Sequence, residues 1–225
     1  MGIYAETLIL YILIFFSGSA AIFSGAAPAG EFSSIAEIIK LSVHIIPSLA
    51  LIWYLIHKSR MTDILLVHGN YVMKSSLKVG FGKKDLVCAV CTFPCLLAVG
   101  FVITIVSSFT GTASQAVIHL PVTTEEWVIL CIYCMFSAYL EESYFRFYLL
   151  SRREELNLHA SGALVLSVVL FSVCHIYAGP WSFLNAVISG SVLGFIFLRY
   201  NAIHGLAIAH GLYNIFVYAL NASAN

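Results

Sequence analysis

Three charged side chains occur inside a segment of the chain that is otherwise long and apolar. Glu141, Glu142 and Arg146 all lie between residues 127 and 150. A charge at the centre of a membrane helix costs about 2.5–3.5 kcal/mol on insertion scales, so it usually has a partner or a function. Glu142 and Arg146 are four residues apart and can pair along one helix face. Glu141 is turned about 100° from that face, which leaves it free to face a reacting group.

Two further motifs place polar side chains in apolar segments. Phe171 and His175 are four residues apart, and His210 and Asn214 have the same spacing, so each pair shares one face of a helix. A single histidine in an apolar helix is commonly a packing residue, and that interpretation suffices for His204.

The depth of these side chains decides whether they can act together. If the helices that carry Glu141 and His175 form a hairpin with its turn near residue 158, the two side chains lie at the same depth and can meet. Counting residues along the later helices in the same way places His210 nearer the cytoplasmic side than Glu141 by about seven residues, or about 10 Å at the helical rise.

The composition requires a membrane protein. Of the 225 residues, 60% are hydrophobic and 10% are charged, with a mean hydropathy of +0.94. Soluble domains are about 45–50% apolar and about 25% charged, so this chain cannot cover a water-facing surface. The 11 basic and 11 acidic side chains cancel, which gives no compositional case for binding nucleic acid.

Seven apolar runs approach the length of about 20 residues that a spanning helix needs. They are 3–23, 35–56, 86–109, 127–150, 160–178, 182–199 and 203–220. We therefore expect an all-α, polytopic transmembrane helix bundle with about seven spanning helices, within a range of six to eight. The whole chain, 1–225, forms one transmembrane domain with a catalytic core at about 86–220, accessory helices in 1–56 and a cytoplasmic loop at 57–85.

The distribution of lysine and arginine predicts the orientation. Residues 57–85 hold six of the eleven basic side chains, whereas 24–34 and 110–126 hold none. The long loop and the N-terminus are therefore predicted to be cytoplasmic. Within the loop, residues 61–68 either lie along the membrane surface as a short amphipathic segment or form an ordinary connector.

The polar motifs together resemble a known family. In order, Glu141-Glu142-x-x-x-Arg146, Phe171-x-x-x-His175 and His210-x-x-x-Asn214 resemble the three motifs of the CAAX protease and bacteriocin-processing (Rce1-like) family of glutamic intramembrane endopeptidases. Each motif is weak alone, whereas all three in this order on apolar helices are specific. The resemblance covers residues 141–214 directly.

The resemblance implies hydrolysis of a peptide bond inside the membrane by a water molecule that Glu141 activates. It implies that His175 positions this water or gives a proton to the leaving amine, and that His210 and Asn214 stabilise the oxyanion. Glu142 and Arg146 support these groups. Because hydrolysis consumes water, we also expect a water-filled cavity that opens to the cytoplasm.

Two alternatives remain open at the sequence level. One carboxylate and two imidazoles are a legitimate zinc set, which would be Glu141, His175 and His210. The resemblance favours a mechanism without a metal or another cofactor, and the chain lacks the His-Glu-x-x-His helix of zinc proteases. The second alternative is a non-enzymatic immunity, regulatory or ion-conducting membrane protein, in which the same polar groups form a conduit.

The expected partners are the lipid bilayer and a membrane-anchored protein or peptide substrate. Relatives of this family cleave prenylated C-terminal tails or other membrane-anchored peptides. Since the chain is short and compact, we expect a multi-pass protein of a prokaryotic cytoplasmic membrane with a substrate that is not prenylated.

Overall fold

The computed structural model describes residues 2–16, 32–58, 63–68, 71–76, 81–110 and 119–224. Its helical elements are α1 (Ile3–Phe15), α2 (Ser34–Ile39), a π-helical segment (Lys40–Ile45), α3 (Ile46–Lys58), α4 (Lys83–Thr110), α5 (Thr124–Glu142), a second π-helical segment (Ser143–Tyr148), α6 (Leu149–Ser151), α7 (Ala160–Val173), a 3-10 turn (Ile176–Ala178), α8 (Pro180–Tyr200) and α9 (Ile203–Ala224). Two strands, β1 (Asp63–His68) and β2 (Tyr71–Ser76), complete the described elements.

Continuous helical stretches in the described residues confirm the predicted polytopic helix bundle. Five are long and apolar enough to cross a membrane: Ser34–His57, Lys83–Thr110, Thr124–Ser151, Pro180–Tyr200 and Ile203–Ser223. These correspond to five of the seven predicted runs.

The other two predicted runs form shorter apolar helices. Helix α1 ends at Phe15 and α7 ends at Val173, so the helix predicted over 160–178 is wrong at its C-terminal end. The chain leaves the helix through the 3-10 turn, and Gly179 follows with a φ of 96°, a conformation that glycine adopts without strain. Residues 17–23, the remainder of the first predicted run, lie outside the described part of the chain.

The segment between α3 and α4 contains a β-hairpin. Strand β1 pairs antiparallel with β2, from Asp63 opposite Ser76 to His68 opposite Tyr71. Residues 63–68 thus form one strand of a hairpin, and both predictions for 61–68, a segment along the membrane surface or a connector, stay predictions. Backbone pairing satisfies the polar groups of this segment, which a single surface-lying strand would leave exposed to solvent.

Helices α4 and α9 approach each other closely where both begin. Asp85 is buried, and its carboxylate accepts hydrogen bonds from the backbone N–H of Gly82 at 3.1 Å and of Gly205 at 3.3 Å. Lys84 donates to the carbonyl of Asn201 at 3.0 Å. A Cβ on Gly205 would lie 2.3 Å from the carbonyl oxygen of Asp85, so only glycine permits this approach.

Helix α1 attaches to the bundle through hydrogen bonds that involve tyrosines. Tyr11 donates to the carbonyl of Leu170 at 2.7 Å, and Tyr144 donates to the carbonyl of Thr7 at 2.8 Å. At the N-terminal end of α1, Glu6 forms an ion pair with Arg152. These long-range bonds fix α1 against the second π-helical segment and α7.

The two ends of the bundle differ in charge. The N-terminal end of α1, the starts of α4 and α9 and the residues after α6 meet at one end. We call this the basic end, because its described side chains include Lys84, Arg152, Arg153 and Arg199. The starts of α2, α5 and α8 lie at the other end, which we call the opposite end.

Candidate active site

A cavity of about 620 Å³ lies between α5, α8 and α9 and is also lined by the first turns of α2 and by residues just after α7. Glu141, His175, His210 and Asn214 all line it. The structure therefore brings together the four side chains that the sequence singled out for chemistry, although they come from three separate motifs.

His210 connects the two glutamates of the first motif. Its Nδ1 lies 2.9 Å from Glu142 Oε1, and its Nε2 lies 3.7 Å from Glu141 Oε2. His210 and Glu142 are both buried, at 5% and 0% exposure. Hydrogen bonding from Nδ1 to the Glu142 carboxylate fixes the orientation of the ring and directs Nε2 towards Glu141.

The depth predicted for His210 is wrong, because it lies beside Glu141 rather than about 10 Å away. The prediction of its depth assumed that the helix carrying Glu141 continues to a turn near residue 158. It ends at Ser151 instead, and residues 152–157 form turns. Glu141 is thus ten residues from this helix end and His210 is seven residues from the start of α9, which places them at similar depths.

Arg146 holds the supporting side of the site. Its Nε lies 3.2 Å from Glu142 Oε2, and both side chains are fully buried. Its Nη2 donates to the carbonyl of Gly190 at 3.3 Å. The guanidinium also lies 4.4 Å from the ring centre of Phe171, a cation–π contact that desolvation strengthens. The predicted ion pair between Glu142 and Arg146 is therefore present.

Phe171 packs against three of the polar side chains at once. Besides contacting Arg146, its ring centre lies 4.7 Å from that of His175 and 6.0 Å from that of His210. A Cβ on Gly190 would lie 2.9 Å from Phe171 Cδ1. The aromatic residue of the second motif therefore serves as a packing element that holds the two imidazoles in place.

One carboxylate oxygen of Glu141 accepts no hydrogen bond from the described residues, although it lies 3.7 Å from Nε2 of His210. Ser137 donates to its Oε1 at 3.3 Å, while Oε2 is buried and has no hydrogen-bond partner among the described residues. A buried, unpaired carboxylate oxygen is costly unless a ligand or water satisfies it. Its place in the cavity lining leaves Oε2 able to accept a proton from a water molecule.

His175 lies just beyond the C-terminus of α7. Its Nδ1 hydrogen-bonds with the carbonyl of Phe171 at 2.9 Å, which assigns the proton to Nδ1 and leaves Nε2 as the acceptor in the neutral ring. Helix α7 has 14 residues and is about 21 Å long, shorter than the hydrocarbon core of about 30 Å. We therefore expect His175 to lie at membrane depth. It shares the cavity with Glu141 without a direct hydrogen bond between them.

The cavity contains a polar residue that the motifs did not reveal. Asn185 of α8 lines it, donates from Nδ2 to the hydroxyl of Tyr213 at 3.2 Å, and has a buried Oδ1 with no partner among the described residues. It is the only amide in the apolar run 182–199. The same criterion of a polar side chain at membrane depth could have identified it.

The alternative zinc set consists of Glu141, His175 and His210. Among the residues that the structure describes, no group of three His, Cys, Asp or Glu side chains is placed to hold a metal ion. Glu142 accepts a hydrogen bond from Nδ1 of His210, which orients this ring.

None of the described residues that line the cavity lies at the basic end. The exposed residues in its lining, Ser33, Lys40 and Tyr177, all lie near the opposite end. We predicted above that the cavity opens to the cytoplasm and that the basic connections are cytoplasmic. These two predictions cannot both be correct.

Comparison with known proteins identifies the family. The family model described as type II CAAX prenyl endopeptidase Rce1-like matches residues 123–216, which contain all three motifs. No curated protein and no solved structure matches the chain. Members of this family are proteases, and the apolar helices make the chain an integral membrane protein. The resemblance drawn from the motifs is therefore confirmed by the match of this family model to residues 123–216.

Proposed function

We propose that this protein is an intramembrane endopeptidase that cleaves a peptide bond near the C-terminus of a membrane-anchored protein or peptide. The observation that carries the proposal is that Glu141, His175, His210 and Asn214 line one and the same cavity. A cavity of this volume is typical of ligand sites and accommodates a short extended segment of polypeptide.

In the proposed mechanism, Glu141 is the general base. Its unpaired Oε2 takes a proton from a bound water molecule, and the water oxygen then attacks the carbonyl carbon of the substrate. Ser137, which donates to Oε1, holds the carboxylate plane. The partial burial of this carboxylate, with 18% of its side chain exposed, limits competing solvent.

His210 and Asn214 are the proposed donors to the oxyanion. His210 donates from Nε2 when both ring nitrogens carry protons, and the carboxylates of Glu141 and Glu142 flank the ring as the counter-charges of that form. A fixed donor of this kind is worth about 2.7–4 kcal/mol of the barrier.

His175 completes the proposed reaction at the leaving group. As the C–N bond breaks, the leaving nitrogen takes up the proton that Glu141 took from water, relayed through Nε2 of His175, and the second water proton is lost when the new carboxyl group ionises. The products are a carboxylate and a free amine. Asn185 Oδ1, which is unpaired in the same cavity, supports substrate binding by accepting a backbone N–H.

The test is cleavage of a membrane-anchored reporter, a single spanning helix with a tagged C-terminal tail, by the full-length chain. Glu141→Gln keeps the size of the side chain and removes the base, so we expect cleavage to fall by at least about 100-fold, the lower range for a general base. Glu125→Gln is the matched control, because this exposed carboxylate lies on the same helix outside the cavity. Normal cleavage by Glu141→Gln contradicts the assignment.

The same assay separates the alternatives. Activity that a strong chelator abolishes and zinc restores contradicts the metal-free mechanism. If no tail is cleaved, but proteoliposomes conduct protons and Glu141→Gln stops them, the conduction alternative replaces the protease.

We further propose the substrate class and setting that the sequence predicts. The substrate is a membrane-anchored peptide without a prenyl group, and the protein resides in a prokaryotic cytoplasmic membrane with its N-terminus in the cytoplasm. The catalytic core extends over about 86–220, with residues 1–56 as accessory helices. Contacts of Tyr11 and Thr7 with this core support that role for α1.

A further inference from the structure

The side of the membrane from which substrate reaches the site follows from three features, namely the lining of the cavity, the closure of the basic end and the distribution of charge. We infer that the cavity opens on the non-cytoplasmic side of the membrane. The substrate is therefore a membrane-anchored protein whose cleaved tail lies outside the cytoplasm or in the outer half of the bilayer. The statement about substrate rests on the proposed protease function, whereas the direction of the cavity does not.

The first feature is the lining of the cavity. The residues at its more exposed end are Phe32, Ser33, Lys40, His119 and Tyr177, which lie at the starts of α2 and α5 and between α7 and α8. None of the described lining residues belongs to 81–95, 151–159 or 199–204. The cavity thus runs from Glu141 and His210 towards the opposite end.

The second feature is the closure of the basic end by hydrogen bonds between distant parts of the chain. Asp85 bonds to Gly205, Lys84 bonds to Asn201, and Tyr4 donates to the carbonyl of Leu156 at 2.8 Å. These bonds join α4 to α9, and α1 to the residues after α6. A peptide that entered from this end would have to separate these contacts.

The third feature is the charge of the connections. Nine of the eleven basic residues lie in 57–85, 151–159 or at residue 199, whereas the sequence of 17–33, 111–123 and 174–179 contains no lysine or arginine. Lysine and arginine in short connections mark the cytoplasmic side. The basic end is therefore cytoplasmic, and the end towards which the cavity runs is not.

This direction separates the chain from proteases that trim cytoplasmic tails. A tail that ends in the cytoplasm would reach the basic end, where hydrogen bonds between the described helices would block its way to the cavity. A tail on the non-cytoplasmic side would meet Lys40 and its ion-pair partner Glu37, 2.8 Å apart, before it reached Glu141.

The direction is tested by cysteine labelling of the full-length chain in intact cells with a membrane-impermeant maleimide. The background carries Cys134→Ala, because Cys134 lines the cavity and would compete. Ser33→Cys reports on the cavity mouth, and Glu154→Cys reports on an exposed position at the basic end. The background chain without either substitution measures labelling of the remaining native cysteines.

We expect Ser33→Cys to react equally in intact and lysed cells and Glu154→Cys to react only after lysis. Labelling of Glu154→Cys in intact cells, alone or together with Ser33→Cys, overturns the inference. Failure of Ser33→Cys to react in intact cells overturns it as well. Neither result depends on whether the chain cleaves peptides.

A second experiment tests the direction of the cavity together with the protease function. External labelling of Tyr177→Cys, at the mouth, is expected to block reporter cleavage, whereas labelling of Glu125→Cys, at the same end but outside the cavity, leaves it unchanged. Of two reporters with tails on opposite sides, only the one with the non-cytoplasmic tail is expected to be cleaved. Cleavage of the cytoplasmic tail overturns the inference. Cleavage of neither tail contradicts the protease function, while the labelling pattern still decides the direction.

Discussion

At the scale of single residues, the site depends on a chain of contacts from Arg146 through Glu142 and His210 to Glu141. Each link is a charged or charge-assisted contact in a buried setting, with Arg146 and Glu142 fully buried. A buried charge that loses its partner costs about 3–5 kcal/mol, whereas replacement of both partners is often nearly neutral. This difference allows the positioning of His210 to be separated from the stability of the fold.

We predict that Glu142→Gln lowers both thermal stability and cleavage, because it leaves Arg146 unpaired and removes the carboxylate that orients His210. In the double variant Glu142→Gln with Arg146→Met, the unpaired charge is gone, so the melting temperature should recover. Cleavage should stay reduced by about 10-fold or more, since a hydrogen bond to a charged group contributes about 1.5–3 kcal/mol. Thermal unfolding in detergent and reporter cleavage measure the two effects. Recovery of cleavage together with stability contradicts a positioning role for Glu142.

At the scale of elements, departures from regular α-helix surround the site. The π-helical segment Ser143–Tyr148 follows both glutamates, and the 3-10 turn Ile176–Ala178 follows His175. Such interruptions commonly occur at functional sites. Here the 3-10 turn follows the end of α7 at Val173, and His175 between them lines the same cavity as Glu141.

Helix α8 packs closely against Phe171 and Arg146 at Gly190, which has no side chain. We predict that Gly190→Ala destabilises the fold by about 1–3 kcal/mol, the usual cost of overpacking, and reduces cleavage. The added Cβ would lie 2.9 Å from Phe171 Cδ1 and 3.6 Å from Arg146 Nη2. Gly162→Ala is the matched control, since its Cβ would meet only Leu158 Cδ2, at 3.7 Å. The control should be neutral or stabilising by up to about 1 kcal/mol, as alanine favours helix more than glycine.

Thermal unfolding in detergent and reporter cleavage again give the comparison. If Gly190→Ala unfolds at the temperature of Gly162→Ala and cleaves normally, the packing of Phe171 does not control the geometry of the site.

At the scale of the whole molecule, the contacts between the starts of α4 and α9 close the basic end. We predict that Asp85→Ala lowers stability by about 1–3 kcal/mol, the cost of a buried donor left unsatisfied, because the N–H of Gly205 loses its acceptor. Asp85→Asn retains an acceptor oxygen and should lose less. Lys83→Ala changes an exposed neighbour and should have no effect. Equal melting temperatures for Asp85→Ala and Lys83→Ala contradict this function of Asp85.

Asp85 also shows where sequence interpretation fails. By sequence it belongs to a cytoplasmic loop, and nothing in its local pattern reveals that it contacts a glycine 120 residues away. The hairpin Asp63–Ser76 is similar, because its pairing joins two short segments with no strong alternation of polar and apolar residues. Such features depend on partners from elsewhere in the chain.

The sequence by itself determined the membrane setting, the helical class, the ion pair of Glu142 with Arg146 and the four polar side chains at membrane depth. It could do so because the cost of placing a charge or an amide in lipid is a local property of each helix. Only the tertiary structure decided that His210 lies beside Glu141, that Asn185 joins them, and towards which end the cavity runs. These depend on where each helix begins and ends and on how closely glycines allow helices to approach, and both are set by packing rather than by local composition.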